Sequence, residues 1–179
     1  MISLEPSVLP APPADPSGLI AEAELLRLMA RHERLACLCD HLEACADILP
    51  TWPVEGQAKR LRAALSDFIM HEAQSSAFVA EMFGPGLQNS LAAVLLRHVE
   101  ARRTNDLVHA EDLMAVLDVK PGAAGRISAD TLAYMLRCFF AACRQRMAFE
   151  ILALLMLAQH RLTPGGRSLL VDSLSRRAA

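Results

Sequence analysis

Apolar residues recur at every third or fourth position in four long stretches of this chain. The most apolar stripe lies in the last stretch and consists of Leu132, Leu136, Phe139, Cys143, Arg146, Glu150, Leu154 and Leu157. This spacing is typical of an amphipathic helix that faces a core. Arg146 and Glu150 interrupt the stripe one turn apart, and a buried charge is costly unless it is paired or bound. The stripe therefore predicts an ion pair or a binding site inside the core.

Proline, glycine and capping residues mark where the predicted helices begin and end. The helices are predicted over residues 18–47, 57–83, 87–117 and 128–161, with a short fifth helix that opens at Thr163-Pro164. Four long helices with short connections predict an all-α, up-down-up-down four-helix bundle. The chain divides into a Pro-rich extended tail (1–17), the bundle (18–161) and a C-terminal helix (162–179). That last segment either caps the open end of the bundle or recognises another protein.

The inner stripes of the first three helices are apolar at their ends and polar near their middle. The predicted stripe of helix three is Leu91, Leu95, His98, Arg102, Asn105, His109, Asp112 and Val116. Helix one contributes His32, and helix two contributes Glu72 with His71 on the neighbouring edge. Polar groups at one level of all four helices predict an internal layer, and bundles bind metals and cofactors in such layers. Imidazole and carboxylate ligands suit iron or manganese.

Composition supports the helical prediction and narrows the class of protein. Of 179 residues, 53% are apolar and only 4% aromatic, with Ala and Leu dominant, which favours an all-α domain. The formal net charge of −2 offers no basic field for nucleic acid or an anionic membrane. The longest wholly apolar run, 151–158, is too short to span a bilayer.

The cysteines and the N-terminus both favour a cytoplasmic protein. Five cysteines, an odd number, fit reduced thiols that are buried as small apolar groups, with a redox role as the alternative. The N-terminus lacks the basic and apolar regions of a secretory signal. The chain also lacks a nucleophile elbow, a P-loop, a dinucleotide fingerprint and a C-x-x-C zinc pattern, so we expect no enzymatic activity.

Three segments of the chain resemble a known family. They are CDHLEACADILP (39–50), MFGPGL (82–87) and LAYMLRCFFAACRQRMAFE (132–150), and they resemble a bacterial branch of the hemerythrin-like, HHE-type domains. The resemblance covers most of residues 19–161. It implies a four-helix bundle that holds two non-haem irons through histidine and carboxylate ligands, for oxygen binding, iron handling or sensing.

The family's ligand pattern is incomplete in this chain. His32 matches the histidine of helix one, and His71 is the nearest match on helix two, but Ser75 stands where the pattern has glutamate. On helix three, His98 or His109 is the nearest match.

On helix four, the pattern's histidine corresponds to Arg146, while its glutamate is retained as Glu150. An arginine cannot coordinate a metal, but its guanidinium binds carboxylates bidentately. We therefore expect Arg146 to replace the charge of the metal and to pair with Glu150, Glu72 or Asp112. The expected polar layer consists of Arg102, Asn105, Asp112, Arg146 and Glu150.

The first hypothesis is a hemerythrin-like bundle without a working di-iron site and without a cofactor. It would act as a regulatory or adaptor protein on an unidentified protein partner, with a homodimer as an option. The alternative is an iron- or oxygen-binding protein with an unusual site built from His32, His71, Glu72 and Glu150. A vestigial metal site would draw on the same residues with His98 and His109. A third class, a binder of small apolar ligands, has no residue signature.

Overall fold

The computed structural model describes residues 18–74, Met82, 91–119 and 127–178, and within these ranges the chain is helical without β-strands. The helices are α1 (Glu22–Asp47), α2 (Glu55–Gln74), α3 (Leu91–Asp118), α4 (Ala129–Leu157) and α5 (Pro164–Ala178), with a 3₁₀ turn at Gln159–Arg161. The predicted all-α bundle with a short C-terminal helix is confirmed. The predicted tail 1–17, the Gly-Pro-Gly turn 84–86 and Ser75 lie outside the described residues.

The four long helices pack in a ring. α4 lies between α1 and α3, α2 packs against α3, and the contact between α1 and α2 closes the ring and is the least extensive. Neighbouring helices run antiparallel, as one contact at the end of α3 illustrates. Arg62, near the start of α2, donates a hydrogen bond to the carbonyl of Leu117 (2.7 Å) and so satisfies an acceptor that the helix end leaves unpaired.

Two apolar clusters fill the bundle, one towards each end. The larger one contains Leu42, Leu65, Leu113 and Phe139 from the four long helices, and Phe139 meets Phe68 edge-to-face at 5.7 Å. The second contains residues from the start of α1, the end of α4 and α5, together with Met82. The gap between the clusters is the level of the predicted polar layer.

α5 closes the end of the bundle formed by the second cluster. It begins at Pro164 as predicted, and the Thr163 hydroxyl accepts a hydrogen bond from the Gly166 backbone N–H (3.0 Å). Leu170 is fully buried, and a Cβ at Gly166 would lie 2.7 Å from Leu25 Cδ1. α5 therefore packs closely on α1 and caps the core, which is the first of its two predicted roles.

Candidate functional site: a buried ionic layer

Seven ionisable side chains from all four long helices meet between the two apolar clusters. Each is at least nine-tenths buried; they are Arg31, His32, Glu72, Arg103, Asp106, Arg146 and Glu150. The two members from each of α1, α3 and α4 lie within about one helical turn of each other, and α2 contributes the single residue Glu72. We call this set the ionic layer.

Arg146 lies at the centre of the ionic layer. Its Nε donates to Asp106 Oδ2 (2.7 Å), and its Nη1 donates to Glu150 Oε1 (3.0 Å). The same Nη1 is 3.5 Å from Glu72 Oε2. The guanidinium thus contacts carboxylates from three helices, and its pairing with Glu150 and Glu72 agrees with the sequence-based expectation. The third partner is Asp106, whereas Asp112 is exposed.

Glu150 joins α4 to α1. Its Oε2 accepts hydrogen bonds from Arg31 Nη2 (2.9 Å) and is 2.8 Å from His32 Nε2, while its Oε1 faces Arg146. Burial disfavours the ionised form, but the hydrogen bond and charge of His32 and the charges of Arg146 and Arg31 outweigh this effect. Together they lower the pKa of Glu150 from 4.5 to about 2.

Glu72 joins α2 to α3 through Arg103. Arg103 Nε is 2.7 Å from Glu72 Oε2, and Arg103 Nη2 donates to the Glu72 backbone carbonyl. Arg31 Nε lies 3.9 Å from the other carboxylate oxygen of Glu72. One carboxylate therefore lies between cations from α1, α3 and α4.

The formal charges of the three arginines and the three carboxylates cancel, with His32 as a further titratable group. Burial opposes the charge of Arg146, but Glu150, Glu72 and Asp106 surround it and raise its pKa, so it stays protonated. For Asp106, burial is the largest effect and raises the pKa although Arg146 acts in the opposite direction. Mutual pairing is what makes seven buried polar side chains tolerable.

The predicted stripe of helix three is wrong by one residue. Asn105 and Asp112 are exposed and Arg102 is half-buried, so these three are not members of the ionic layer. The buried stripe is Ala92, Val99, Arg103, Asp106, Ala110, Leu113 and Leu117. The physical reason is apolar burial, because this stripe is largely apolar whereas most residues of the predicted one are polar.

Of the histidines expected to bind metal, His32 alone lies in the ionic layer. His71 is exposed because its neighbour Glu72 points inward and adjacent helical residues diverge by about 100°. His98 is exposed, accepts a hydrogen bond from Arg102 Nε (2.8 Å) and packs edge-on against Phe149. His109 is half-buried and outside the layer.

Three members of the ionic layer, Arg31, Arg103 and Asp106, were not predicted. Their spacing indicates an inward position: Arg31 lies three residues after Leu28 and four before Leu35, and both leucines are buried in the core. Asp106 likewise lies four residues before Ala110 and three after Arg103. A charged residue at such a position is either buried together with the apolar stripe or interrupts that stripe.

The ionic layer does not fit the two irons that the family resemblance implies. Its three carboxylates already form hydrogen bonds or ion pairs with guanidinium groups. The guanidinium of Arg146 lies at the point where the three carboxylates converge. A metal ligand needs a free lone pair, and a guanidinium cannot supply one. Among the described residues, no three His, Cys, Asp or Glu side chains form a group that could hold a metal ion.

Comparisons with protein-family models, curated proteins and solved structures found no match to this chain. In the part of the chain that the structure describes, no helix is long and apolar enough to cross a membrane.

Proposed function

We propose that this chain is a non-catalytic, hemerythrin-like bundle in which an ionic layer replaces the di-iron site. The observation that carries the proposal is the position of Arg146, whose guanidinium contacts Asp106, Glu150 and Glu72 at the level where a metal would bind. The three carboxylates of the layer are paired with its arginines, which supports a structural role for them rather than a catalytic one. The protein then acts as a regulatory or adaptor protein through its surface.

Elemental analysis tests the absence of a metal centre. Protein expressed with added iron should contain well below one iron per chain and lack the charge-transfer bands of an oxo-bridged pair. Close to two irons per chain would overturn the proposal and favour the iron- or oxygen-binding alternative. Arg146→Lys, which keeps a cation in the layer, serves as the matched control and should remain equally free of iron.

A groove between α1 and α2 supports a role in protein binding. Two adjoining clefts of about 280 and 390 Å³ share His41 and Ala64 and extend along the least extensive helix contact of the ring. Their apolar lining comes from Leu35, Leu38, Cys45, Ile48, Leu61 and Phe68. From residue 31 to residue 48 the groove is about 26 Å long, which matches a helix of about 18 residues.

The charges along this groove favour an acidic partner. Among the exposed charged side chains that line the groove, Arg34 and Arg60 are cations and Asp67 is the one carboxylate. An amphipathic helix with its apolar face in the groove and acidic residues at its edges is complementary to this lining. We infer that the partner presents such a helix.

The five free cysteines support a reducing compartment such as the cytoplasm.

A library of 18-residue amphipathic helical peptides of varied net charge provides the probe. Selection on the whole protein should enrich acidic peptides, and Ala64→Trp, which fills the groove, should weaken their binding at least tenfold. Ala115→Trp on the exposed side of α3 is the control and should leave binding unchanged. Failure to select any peptide, or peptides indifferent to Ala64→Trp, would refute the groove as the binding surface without affecting the metal result.

A further inference from the structure

A polar cleft of about 330 Å³ lies between α3 and α4, on the side of the ring opposite the groove between α1 and α2. α3 contributes most of its lining and α4 contributes one alanine; the lining residues are His98, Ala101, Arg102, Asn105, Asp106 and Ala142. We call it the α3–α4 cleft. Ligand pockets range over roughly 300–1,000 Å³, so a cleft of this size suits a small molecule.

The α3–α4 cleft reaches the ionic layer at Asp106. This side chain is 1% exposed, and among the described residues it forms one ion pair, with Arg146 Nε at 2.7 Å from Oδ2. The other two carboxylates of the layer, Glu72 and Glu150, each face three basic side chains. Asp106 therefore carries the least compensated negative charge in the layer.

The pKa values of the carboxylates agree with this difference. Burial raises the pKa of Asp106, and the charge and hydrogen bonds that Arg146 and Cys143 supply do not offset it. For Glu150, burial acts in the same direction, but its basic neighbours outweigh it and lower the pKa to about 2. A second cation beside Asp106 would stabilise its ionised form in the same way. Because Asp106 lines the α3–α4 cleft, that cation can come from a ligand.

The cleft also holds a cation of its own, Arg102, one helical turn before Asp106. Arg102 is half-buried, and its Nε donates to His98 Nε2 (2.8 Å). This contact directs the guanidinium towards the preceding turn of α3, away from Asp106. In the described part of the chain no carboxylate forms an ion pair with Arg102. Its two terminal nitrogens are therefore available to an anion, and a guanidinium binds a carboxylate bidentately.

We propose that the α3–α4 cleft binds a small amino acid, with the ligand carboxylate on Arg102 and the ligand ammonium group on Asp106. Along α3, Arg102 is about 6 Å from Asp106 and His98 is about 12 Å from it, and the guanidinium extends between these two levels. Two charge-assisted hydrogen bonds of about 2.8 Å each, with about 3–6 Å between the charges of the ligand, span this range. The exposed amide of Asn105 offers a further donor and acceptor at the rim.

Isothermal titration calorimetry on the full chain tests the proposal with glycine, β-alanine and 4-aminobutyrate, whose two charges are progressively further apart. At least one of them should bind with a Kd below about 1 mM. Acetate and methylammonium each carry only one of the two charges and should bind at least tenfold more weakly. Trimethylglycine keeps both charges but has no N–H donor for Asp106, and it should lose at least tenfold relative to glycine.

Substitutions in the α3–α4 cleft locate the ligand. Arg102→Gln removes the partner of the ligand carboxylate and should weaken binding at least tenfold. Arg97→Gln removes an exposed cation of α3 outside the cleft and should leave binding unchanged. Ala101→Trp fills the cleft and should abolish binding, whereas Ala115→Trp, at another exposed position of α3, should not. Circular dichroism checks that each variant folds.

The ligand series on the wild-type protein decides the proposal without any substitution in the ionic layer. No binding of the three amino acids at about 1 mM overturns it. Acetate that binds as tightly as the best amino acid would require Arg102 alone and overturns it as well. A folded Arg102→Gln or Ala101→Trp variant with wild-type affinity would locate the ligand outside the cleft, which also contradicts the proposal.

Discussion

Arg146 and Glu150 lie one turn apart on α4, with Nη1 3.0 Å from Oε1, and both side chains are almost completely buried. One helix thus supplies a cation and its counterion to the same layer. Each of the two also reaches a different neighbouring helix, Arg146 through Asp106 and Glu150 through Arg31. The pair therefore connects three helices.

Removing Arg146 should be strongly destabilising. Arg146→Ala leaves the carboxylates of Asp106, Glu72 and Glu150 buried with one cation fewer, and we expect a loss of about 3–5 kcal/mol in the free energy of unfolding. Urea denaturation followed by circular dichroism measures it. Arg137→Ala is the control, because Arg137 is 54% exposed and 3.9 Å from Asp47; it should change stability by less than about 0.5 kcal/mol. A similarly small loss for Arg146→Ala would contradict the buried position of this guanidinium.

The protein should lose stability in acid because of Glu150. Its pKa is about 2 in the folded protein and 4.5 without the fold, so the unfolded state takes up the proton first as the pH falls. Its contribution, about 3 kcal/mol at most, is complete above about pH 4.5 and disappears towards pH 2. The raised pKa of Asp106 acts in the opposite direction and reduces the net loss.

Urea denaturation of Glu150→Gln between pH 6 and pH 2.5 checks this dependence. The variant should be less stable at pH 6 and should show a flatter dependence on pH than the wild type. Glu111→Gln, which removes an exposed carboxylate of α3, should retain the wild-type slope. Equal slopes for Glu150→Gln and the wild type would show that Glu150 is not the group that titrates.

α5 should contribute to the stability of the whole bundle. Leu170→Ala removes a fully buried side chain from the second apolar cluster, and we expect a loss of about 2–5 kcal/mol. Val171→Ala, one residue later at a 44% exposed position, should cost less than about 0.5 kcal/mol. Thermal melting of the two variants decides between capping and an independent appendage, since an appendage predicts no difference between them.

The thiols should react with Ellman's reagent in order of their exposure. Cys37 is exposed and should react first, and Cys138 is half-buried and should follow more slowly. Cys39, Cys45 and Cys143 are buried and should react only after denaturation. The hydrogen bond with Cys39 and burial raise the pKa of Cys143, which lowers its thiolate fraction. A Cys37→Ser variant that keeps the fast phase would contradict this order.

The sequence was most informative where apolar and polar residues are clearly separated. On α4 the predicted stripe is buried from Leu132 to Leu154, including the unexpected pair Arg146 and Glu150. On α1 the predicted inward residue His32 is buried, in one stripe with Leu28 and Leu35. In both helices one face is so apolar that it determines how the helix is rotated about its own axis.

α3 was harder to predict because apolar residues occur on several of its faces. Leu95 and His98 suggested one rotation, whereas Val99 and Leu113 determine the observed one, which differs by a single residue. That shift of about 100° exchanges Arg102 for Arg103 and Asn105 for Asp106. His98 and His109, the nearest matches to the family's ligand pattern on this helix, both lie on the predicted face and outside the buried one.

The distribution of charge in the ionic layer has a consequence for how the bundle assembles. α3 and α4 each bring one arginine and one carboxylate, so these two helices can dock with their charges balanced. α1 brings Arg31 without a carboxylate, and α2 brings Glu72 without a cation. If either helix docked alone, it would bury the charge of Arg31 or of Glu72 without compensation. If both docked together, these two charges would cancel. Although α1 and α2 share the smallest contact among the described helices of the ring, we expect their docking to be coupled through the net charge of the layer.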